Sequence, residues 1–455
     1  MVGVTGHGSA RWTLTATAVA LFCVQIDYFA VNLALPRMAT DLDSSITDMQ
    51  WVVSIYMLTL GAFMVPAGRV ADIFGRRRVL LCGIALFAVA SVLCALAPTA
   101  AAVVASRALQ GVGAAMIFPV SVSVLSNAYP AESSGRAIGL AYGIAGLGNA
   151  AGPLVGGVLT ETVGWRAVFW LLVPFAVLSL LIGARVIPET FDETATRRID
   201  VGGLALLTTG IGLFTLAFDR APTWGWLSAT TLAAGLASVG LLVAFVIVER
   251  RSRHPLVDVR LFGTPGFAVL VIAGTVANIA YAVTVFLSTL NLQEVRGLDP
   301  LTAGLVFLGP SVGAAAGGTL SGRLPSRFSP IAVMGAGCVV AAFSLVALSV
   351  LASWPLYVAA LTACGLTMGF VYAYTTVATQ AVVDPARAGE AAGVTLTALV
   401  TLAGCGVAVS GTVLEMLQRA GMPAGDGVNL IFGVVALALL VSGSGVLRRA
   451  RHRAS

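Results

Sequence analysis

Gly139 to Gly157 reads GLAYGIAGLGNAAGPLVGG. Seven of these nineteen residues are glycine, yet the run lies inside an apolar segment long enough to be helical, so the glycines are not simply turn residues. At about 100° per residue, Gly148, Gly152 and Gly156 form one small-residue row with Ala141 and Ala145, while Gly139, Gly143, Gly146, Ala150 and Gly157 form a second row on the opposite side. In water such a helix loses roughly 1 kcal/mol per glycine against alanine. In lipid the same small residues let backbones approach and helices associate. The stretch reads as a membrane helix wedged between two neighbours.

The rest of the chain fits that solvent. Charged residues make up 10% of the 455 positions and apolar ones 58%, against about 25% charged in a soluble domain; the mean hydropathy is +0.96. The six cysteines (Cys23, Cys82, Cys94, Cys338, Cys364 and Cys405) are scattered through apolar runs without metal-ligand spacing and read as small core hydrophobes. His7, His254 and His452 all fall in polar segments, which excludes a histidine proton relay inside the membrane. The first apolar segment follows Arg11 as a leader would, but at about 23 residues, with many more spans behind it, it is expected to remain as an uncleaved helix.

Fourteen spans are expected, at roughly 13–35, 49–67, 79–97, 101–126, 137–158, 165–186, 201–218, 228–248, 267–290, 301–321, 330–351, 355–381, 390–413 and 429–447. An even number puts both termini on one side of the bilayer. All 26 basic residues are arginine. With the termini inside, about twenty of them fall in inner segments, about five outside (Arg37, Arg166, Arg220, Arg296 and Arg419), and Arg107 within a span; this asymmetry places both termini in the cytoplasm. The net charge of +6 is thus a topology signal and not a nucleic-acid footprint.

Two longer, charged inner segments, 187–200 and 249–265, divide the chain into six, two and six spans. The domain organisation expected is an N-terminal six-helix bundle (1–190), two extra helices with flanking linkers (191–260) and a C-terminal six-helix bundle (261–455). Gly68-Arg69-Val70 with Phe74 recurs as Gly322-Arg323-Leu324 with Phe328, and Gly152-Pro153-Leu154-Val155-Gly156 is echoed by Gly309-Pro310-Ser311-Val312-Gly313. Paired bundles around a midplane site are a common transporter plan.

Ionisable residues inside spans are costly and mark function by default. Two qualify clearly, Asp27 in span 1 and Arg107 in span 4, lying about 12 Å and about 10 Å from the outer ends of their spans and therefore able to pair. The pair reads either as a structural lock between two helices or as a proton switch, since burial disfavours the charged carboxylate and the arginine favours it. Gln25, Asn32 and Gln110 add polar groups nearby. The second bundle offers no buried acid: Glu390 and Glu415 stand at span ends and read as solvated. Its polar lining is Asn278, Tyr281, Tyr372, Tyr374 and the threonines around Thr375, which suits the wall of a binding cavity or ordinary helix packing. After span 2, GRVADIFGRRRVL (Gly68 to Leu80) combines a tight turn with Asp72 and Arg76, Arg77 and Arg78. Gly68 and Gly75 allow helices to stop and approach, and Asp72 is placed to hold an arginine or face a helix N-terminus.

These residues resemble the major facilitator superfamily, and within it the fourteen-span drug/proton antiporters. The segment after span 2 is similar to G-x-L-A-D-x-x-G-R-[KR] at Gly68, Ala71, Asp72, Gly75, Arg76 and Arg77, with Val70 for Leu. Span 4 is similar to R-x-x-Q-G-x-G-A-A at Arg107, Gln110, Gly111, Gly113, Ala114 and Ala115. Span 5 matches G-x8-G-x3-G-P-x2-G-G at Gly139, Gly148, Gly152, Pro153, Gly156 and Gly157. Span 1 resembles D-x-T-V-V-N-V-A-L-P at Asp27, Val31, Asn32, Ala34, Leu35 and Pro36, with Phe29 where the family has Thr.

The resemblance implies an all-α, two-bundle fold with spans 7 and 8 outside the core. It implies export of a small amphiphilic drug or antibiotic across the cytoplasmic membrane in exchange for protons, by rocking of the bundles. Asp27 and Arg107 are then associated with proton coupling and the Gly68 to Arg77 segment with gating. Span 5 is implied to meet the second bundle near span 10, whose Gly309, Gly313, Gly317 and Gly318 supply a matching surface, with Gly152 and Gly156 critical to that contact. The expected partners are the cargo and the bilayer, with no cofactor beyond the coupling proton and no nucleic acid, for a monomer. A proton-coupled importer or facilitator of a metabolite would share the fold, though the span-5 glycines argue for export. A membrane enzyme or sensor would want a catalytic cluster or an appended soluble domain, and neither is visible.

Overall fold

The computed structural model describes residues 7–452 apart from 45, 193–199, 253–258, 265, 299, 324–327, 352 and 385–386. His254, Leu324 and five of the arginines counted for topology (Arg197, Arg198, Arg253, Arg327 and Arg453) lie outside the described residues. Among the described residues fourteen α-helices follow one another: α1 (His7–Asp41), α2 (Ile46–Phe74), α3 (Arg76–Leu96), α4 (Ala100–Ala128), α5 (Ala131–Thr162), α6 (Arg166–Val186), α7 (Val201–Trp224), α8 (Ala229–Arg251), α9 (Phe267–Leu290), α10 (Pro300–Ser321), α11 (Pro330–Val350), α12 (Trp354–Ala381), α13 (Ala388–Arg419) and α14 (Ala424–His452). All fourteen are long and apolar enough to cross a membrane, and no strand occurs among the described residues.

Several helices outrun the expected spans, α1 by extending to His7 and Asp41 and α13 to Arg419. Ending a helix at the edge of the apolar run would strand four carbonyls where the bilayer is still dry, so the hydrogen-bonded ladder continues until polar residues reach the headgroup zone. Starts are marked by side chains that accept from the first turn: Thr99 from the Ala102 amide, Asp200 from Gly203 and Ser228 from Thr231.

Buried apolar side chains gather mainly into two cores, one built largely from α1–α6 and one from α9–α14. A third cluster joins Ala62 and Val65 of α2, Leu207 and Ile211 of α7, Phe245 of α8 and Ala391 and Val394 of α13. The extra pair therefore divides its work. α8 packs on α7 and turns Leu232, Leu236, Val239, Val243 and Ile247 outward, an apolar face suited to lipid. α7 contributes to neither bundle core and lies against both α2 and α13, one helix from each half. Near its end Arg220 stacks on Trp51 of α2 at 3.8 Å, and the Trp226 indole donates to the Thr412 hydroxyl of α13 at 2.9 Å.

Candidate functional site

Span 1 and span 4 bring their charges together. Arg107 Nη1 donates to both Asp27 oxygens at 2.8 and 2.6 Å and to Gln110 Oε1 at 2.7 Å. Its Nε donates to the Val52 carbonyl at 3.0 Å, and its guanidinium lies 4.0 Å over the Tyr56 ring. Both charged residues are 0% exposed. Gln110 continues the network, donating to the Ser91 hydroxyl at 2.9 Å. A buried pair of this kind repays its desolvation only when the lone pairs and protons around it are largely satisfied; Gln110, Val52 and the Tyr56 ring do part of this, while Arg107 Nη2 closes no hydrogen bond. Of the three polar neighbours expected, only Gln110 joins. Gln25 packs its stem toward Gly148 of α5, and Asn32 is exposed and donates to the Tyr28 carbonyl of its own helix at 2.8 Å.

A second cluster sits at the end of the molecule carrying the arginine-rich connections. Here α2 continues as helix through Gly68 to Phe74, so the turn is Gly75 alone, with φ +119; any side chain would be strained there. Gly68 is instead a point of approach, where an added Cβ would collide with the Gly389 carbonyl of α13. Asp72 fills both roles expected of it. Its Oδ1 accepts from Arg76 at 2.8 Å, while its Oδ2 accepts from the Glu390 amide in the first turn of α13 at 2.9 Å, across the seam between the halves. Residues 187–192 fold back over the turn: the Arg77 amide donates to Glu189 Oε1 at 3.0 Å and the Asp192 amide to the Asp72 carbonyl at 2.7 Å. Glu390 is 2% exposed and accepts from Arg387 at 3.2 Å, which corrects its reading as a solvated span-end residue; Glu415 is solvated and pairs with Arg419. Asp72→Ala deletes the cross-seam bond, with an expected cost of roughly 1.5–3 kcal/mol to the closed seam. The measure is faster amide exchange in the first turn of α13; unchanged exchange would show that Asp72 does not hold the seam.

The two rows of α5 face two different helices. A Cβ on Gly148, Gly152 or Gly156 would lie 2.8 Å from the Phe22 carbonyl, 2.6 Å from Phe29 Cβ or 2.5 Å from the Ala30 carbonyl, all on α1. On Gly139 it would lie 2.8 Å from the Gly318 carbonyl, and on Gly143 2.9 Å from the Ala315 carbonyl, both on α10. The span 5–span 10 contact thus forms, but through the row of Gly139, Gly143 and Gly146 and not through Gly152 and Gly156. The facing glycines are Gly318 of α10 and Gly322 just beyond its end, whereas Gly309, Gly313 and Gly317 face Thr362 and Leu366 of α12. Pro153 and Gly157 lie within the helical backbone of α5. Phe29, in place of the family's Thr, seats its Cβ over Gly152.

The same seam carries an uncharged polar group. Tyr142 of α5 meets Tyr372 of α12 edge to face, ring centroids 5.6 Å apart. The Tyr142 hydroxyl faces Thr376, and Asn149 of α5 faces the Tyr281 hydroxyl of α9. Tyr281 and Tyr372 thus each meet a polar residue of α5. Tyr374, about 200° further round α12, stacks on Phe370 at 5.5 Å inside the second core, and Asn278 spends its amide on the Leu399 carbonyl of α13 at 2.8 Å; neither faces the seam group.

From α2 to α13 the close approaches run from Gly68 through Gly393, which meets Met64 and Val65, to Gly61, which meets Thr401. One turn further along the same face of α13, a Cβ on Gly404 would meet only open space. The halves are therefore closely packed over the arginine-rich end, as far as Gly61 and Thr401. Sequence reasoning missed Tyr56, Ser91, Glu189, Tyr142 and Asn149. Of these, Asn149 carried a usable signal, being the one polar side chain of the Gly139 to Gly157 stretch apart from Tyr142.

Comparison with known proteins agrees with this architecture. The Major Facilitator Superfamily model matches residues 17–408 and 268–453. The chain is 34% identical over 408 residues to multidrug resistance protein Stp of Mycobacterium tuberculosis (strain CDC 1551 / Oshkosh), covering 88% of this chain and 75% of that one. It is 32% identical over 420 residues to drug efflux pump JefA of the same strain, covering 91% and 82%. It is 34% identical over 343 residues to the tetracenomycin C resistance and export protein of Streptomyces glaucescens, covering 74% of this chain and 63% of that relative. Among solved structures, the human organic anion transporter MFSD10 (TETRAN) superposes with a TM-score of 0.71 at 16% identity, covering 96% of this chain and 99% of that chain, a likeness of fold.

Proposed function

The chain belongs to the Major Facilitator Superfamily, and from that premise we propose that it exports small amphiphilic drugs or antibiotics across the cytoplasmic membrane in exchange for protons, by alternating access between the halves 1–190 and 261–455. The observation that carries the reading is the Asp27–Arg107 pair, an acid and a base at 0% exposure in mid-membrane, on helices that do not otherwise need a charge. The export direction rests on the efflux functions named for the similar relatives.

In this reading the arginine-rich end and both termini face the cytoplasm, so the closed seam at Gly68, Asp72 and Gly139 seals the cytoplasmic side and access to the site is from outside. Protonation of Asp27 from that side removes the charge that holds Arg107 Nη1. Asp27 sits on α1, which packs against one row of α5, and the other row of α5 packs against α10. The change at Asp27 thus has a continuous packed route, α1 to α5 to α10, to the contact that must open. The 191–260 segment follows the rocking halves through α7.

The test is proton efflux from acid-loaded vesicles with the cytoplasmic face outward, on addition of compounds from an antibiotic panel. Compound-dependent proton efflux with accumulation of the compound is the expected result. Transport only in the opposite direction would replace export by import, and transport indifferent to the pH gradient would leave a facilitator.

A further inference from the structure

The side chains that meet where α5 faces α9 and α12, away from the Asp72–Glu390 contact, carry no charge. α9, α10 and α12 contain no acidic or basic residue, and the charges of α5 lie near its ends, at Glu132, Arg136 and Glu161. Asp27 and Arg107, the ionisable residues at similar depth, are fully enclosed and spend their charges on each other. What the seam does offer is a set of hydrogen-bonding groups whose near neighbours are one another, Tyr142 with Thr376 and Asn149 with Tyr281. Tyr142 Oη, Thr376 Oγ1 and Asn149 Oδ1 are buried atoms that close no hydrogen bond, although each has a polar neighbour within reach. These three stand together at one seam and come from both halves, as a group that reads a bound molecule would.

Apolar surface adjoins them. A recess beside Tyr281 is lined by Thr284, Phe307, Pro310, Leu361 and Met368. Tyr142 and Tyr372 meet edge to face, so a ring edge covers one of the aromatic faces that would attract a cation. An ion brought here would lose its hydration without a counter-charge, which is prohibitive in a low-dielectric site. An uncharged aromatic molecule loses little, and its hydroxyl and carbonyl groups match the seam's donors and acceptors.

We propose that the cargo is an uncharged aromatic compound bearing hydroxyl and carbonyl groups, bound at the α5–α9–α12 seam by Tyr142, Asn149, Tyr281, Tyr372 and Thr376. This deepens the export reading and rests on it. Discrimination comes from the missing counter-charge, and orientation from Asn149 and the hydroxyls.

The test is equilibrium binding to the full chain in lipid nanodiscs, corrected for empty discs, with three planar probes of similar size: neutral dihydroxyanthraquinone, cationic ethidium and anionic anthraquinone sulfonate. The neutral probe is expected to bind at least about tenfold tighter than either ion, and Asn149→Leu and Tyr281→Phe, checked for monodisperse elution, are each expected to weaken it by about tenfold. Ethidium or the sulfonate binding as well as the neutral probe, no binding of any probe, or indifference to both substitutions overturns the proposal. Neutral binding without pH-driven flux would uphold this site and overturn the export reading instead.

Discussion

Asp27→Asn is expected to lower pH-gradient-driven transport by at least about 100-fold while leaving exchange of labelled for unlabelled cargo at equal pH within a few-fold. An amide has nearly the shape of the carboxylate and still accepts from Arg107 Nη1 and Gln110, so the site keeps its outline. What it loses is titration. Removing one partner of a buried ion pair ordinarily costs about 3–5 kcal/mol because the other charge is left behind. Here Arg107 keeps the Gln110 oxygen, the Val52 carbonyl and the Tyr56 ring, which should hold the fold together and make the exchange measurement possible. The split between the two assays separates coupling from collapse, since a misfolded variant fails both. Undiminished pH-driven transport would move the coupling proton away from Asp27. The other buried acids among the described residues are Asp72, Asp192, Glu249 and Glu390, of which Asp72 and Glu390 lie at helix ends on the seam.

The membrane architecture was legible because the bilayer imposes one rule on every span, so hydropathy and arginine asymmetry carried the helix count. The Asp27–Arg107 pair was legible for the same reason: in an apolar medium two opposite charges at similar depth have few alternatives to each other. What was not legible was which helix lay across which face. The sequence of α5 shows two small-residue rows but does not say that one faces α1 and the other α10, because small residues fit any neighbour. Glu390 was misread because its helix starts two residues earlier, at Ala388, and docks its first turn onto Asp72; a contact between residues 318 positions apart leaves no local signal. Likewise the contacts that tie the end of α7 and the turn after it to α2 and α13 depend on Trp51 and Thr412, which belong to distant segments. Tyr281, Tyr372 and Tyr374 look equivalent in the sequence, and the periodicity of α12 alone sends Tyr374 into the core while Tyr372 turns to the seam.

The two faces of α5 predict two different kinds of failure from the same substitution. At Gly139 the neighbours are the Gly318 carbonyl and the Gly322 amide and Cα, at 2.8 to 3.0 Å from an added Cβ. Backbone cannot swing aside as a side chain can, so Gly139→Leu must push α5 and α10 apart at the end where the halves close. Each half keeps its own core, since the contact lies between them. The expected result is a chain that inserts and purifies with a near-normal melting temperature but transports at least about 50-fold more slowly, because the arrangement sealed at the arginine-rich end is no longer reachable. At Gly156 an added Cβ would lie 2.5 to 2.9 Å from Ala30 backbone atoms, inside the N-terminal core. Overpacking there typically costs about 1–3 kcal/mol and more where backbone is struck, and it falls on the α1–α5 packing that also positions Asp27. Gly156→Leu should therefore lower the melting temperature and the yield of folded protein together with transport. Thermal unfolding of the two purified variants, set beside vesicle flux, distinguishes them: equal destabilisation at both positions would mean that α10 belongs to the same rigid unit as α1 and α5. Normal flux in Gly139→Leu would show that the α5–α10 contact is not one the transport cycle has to make.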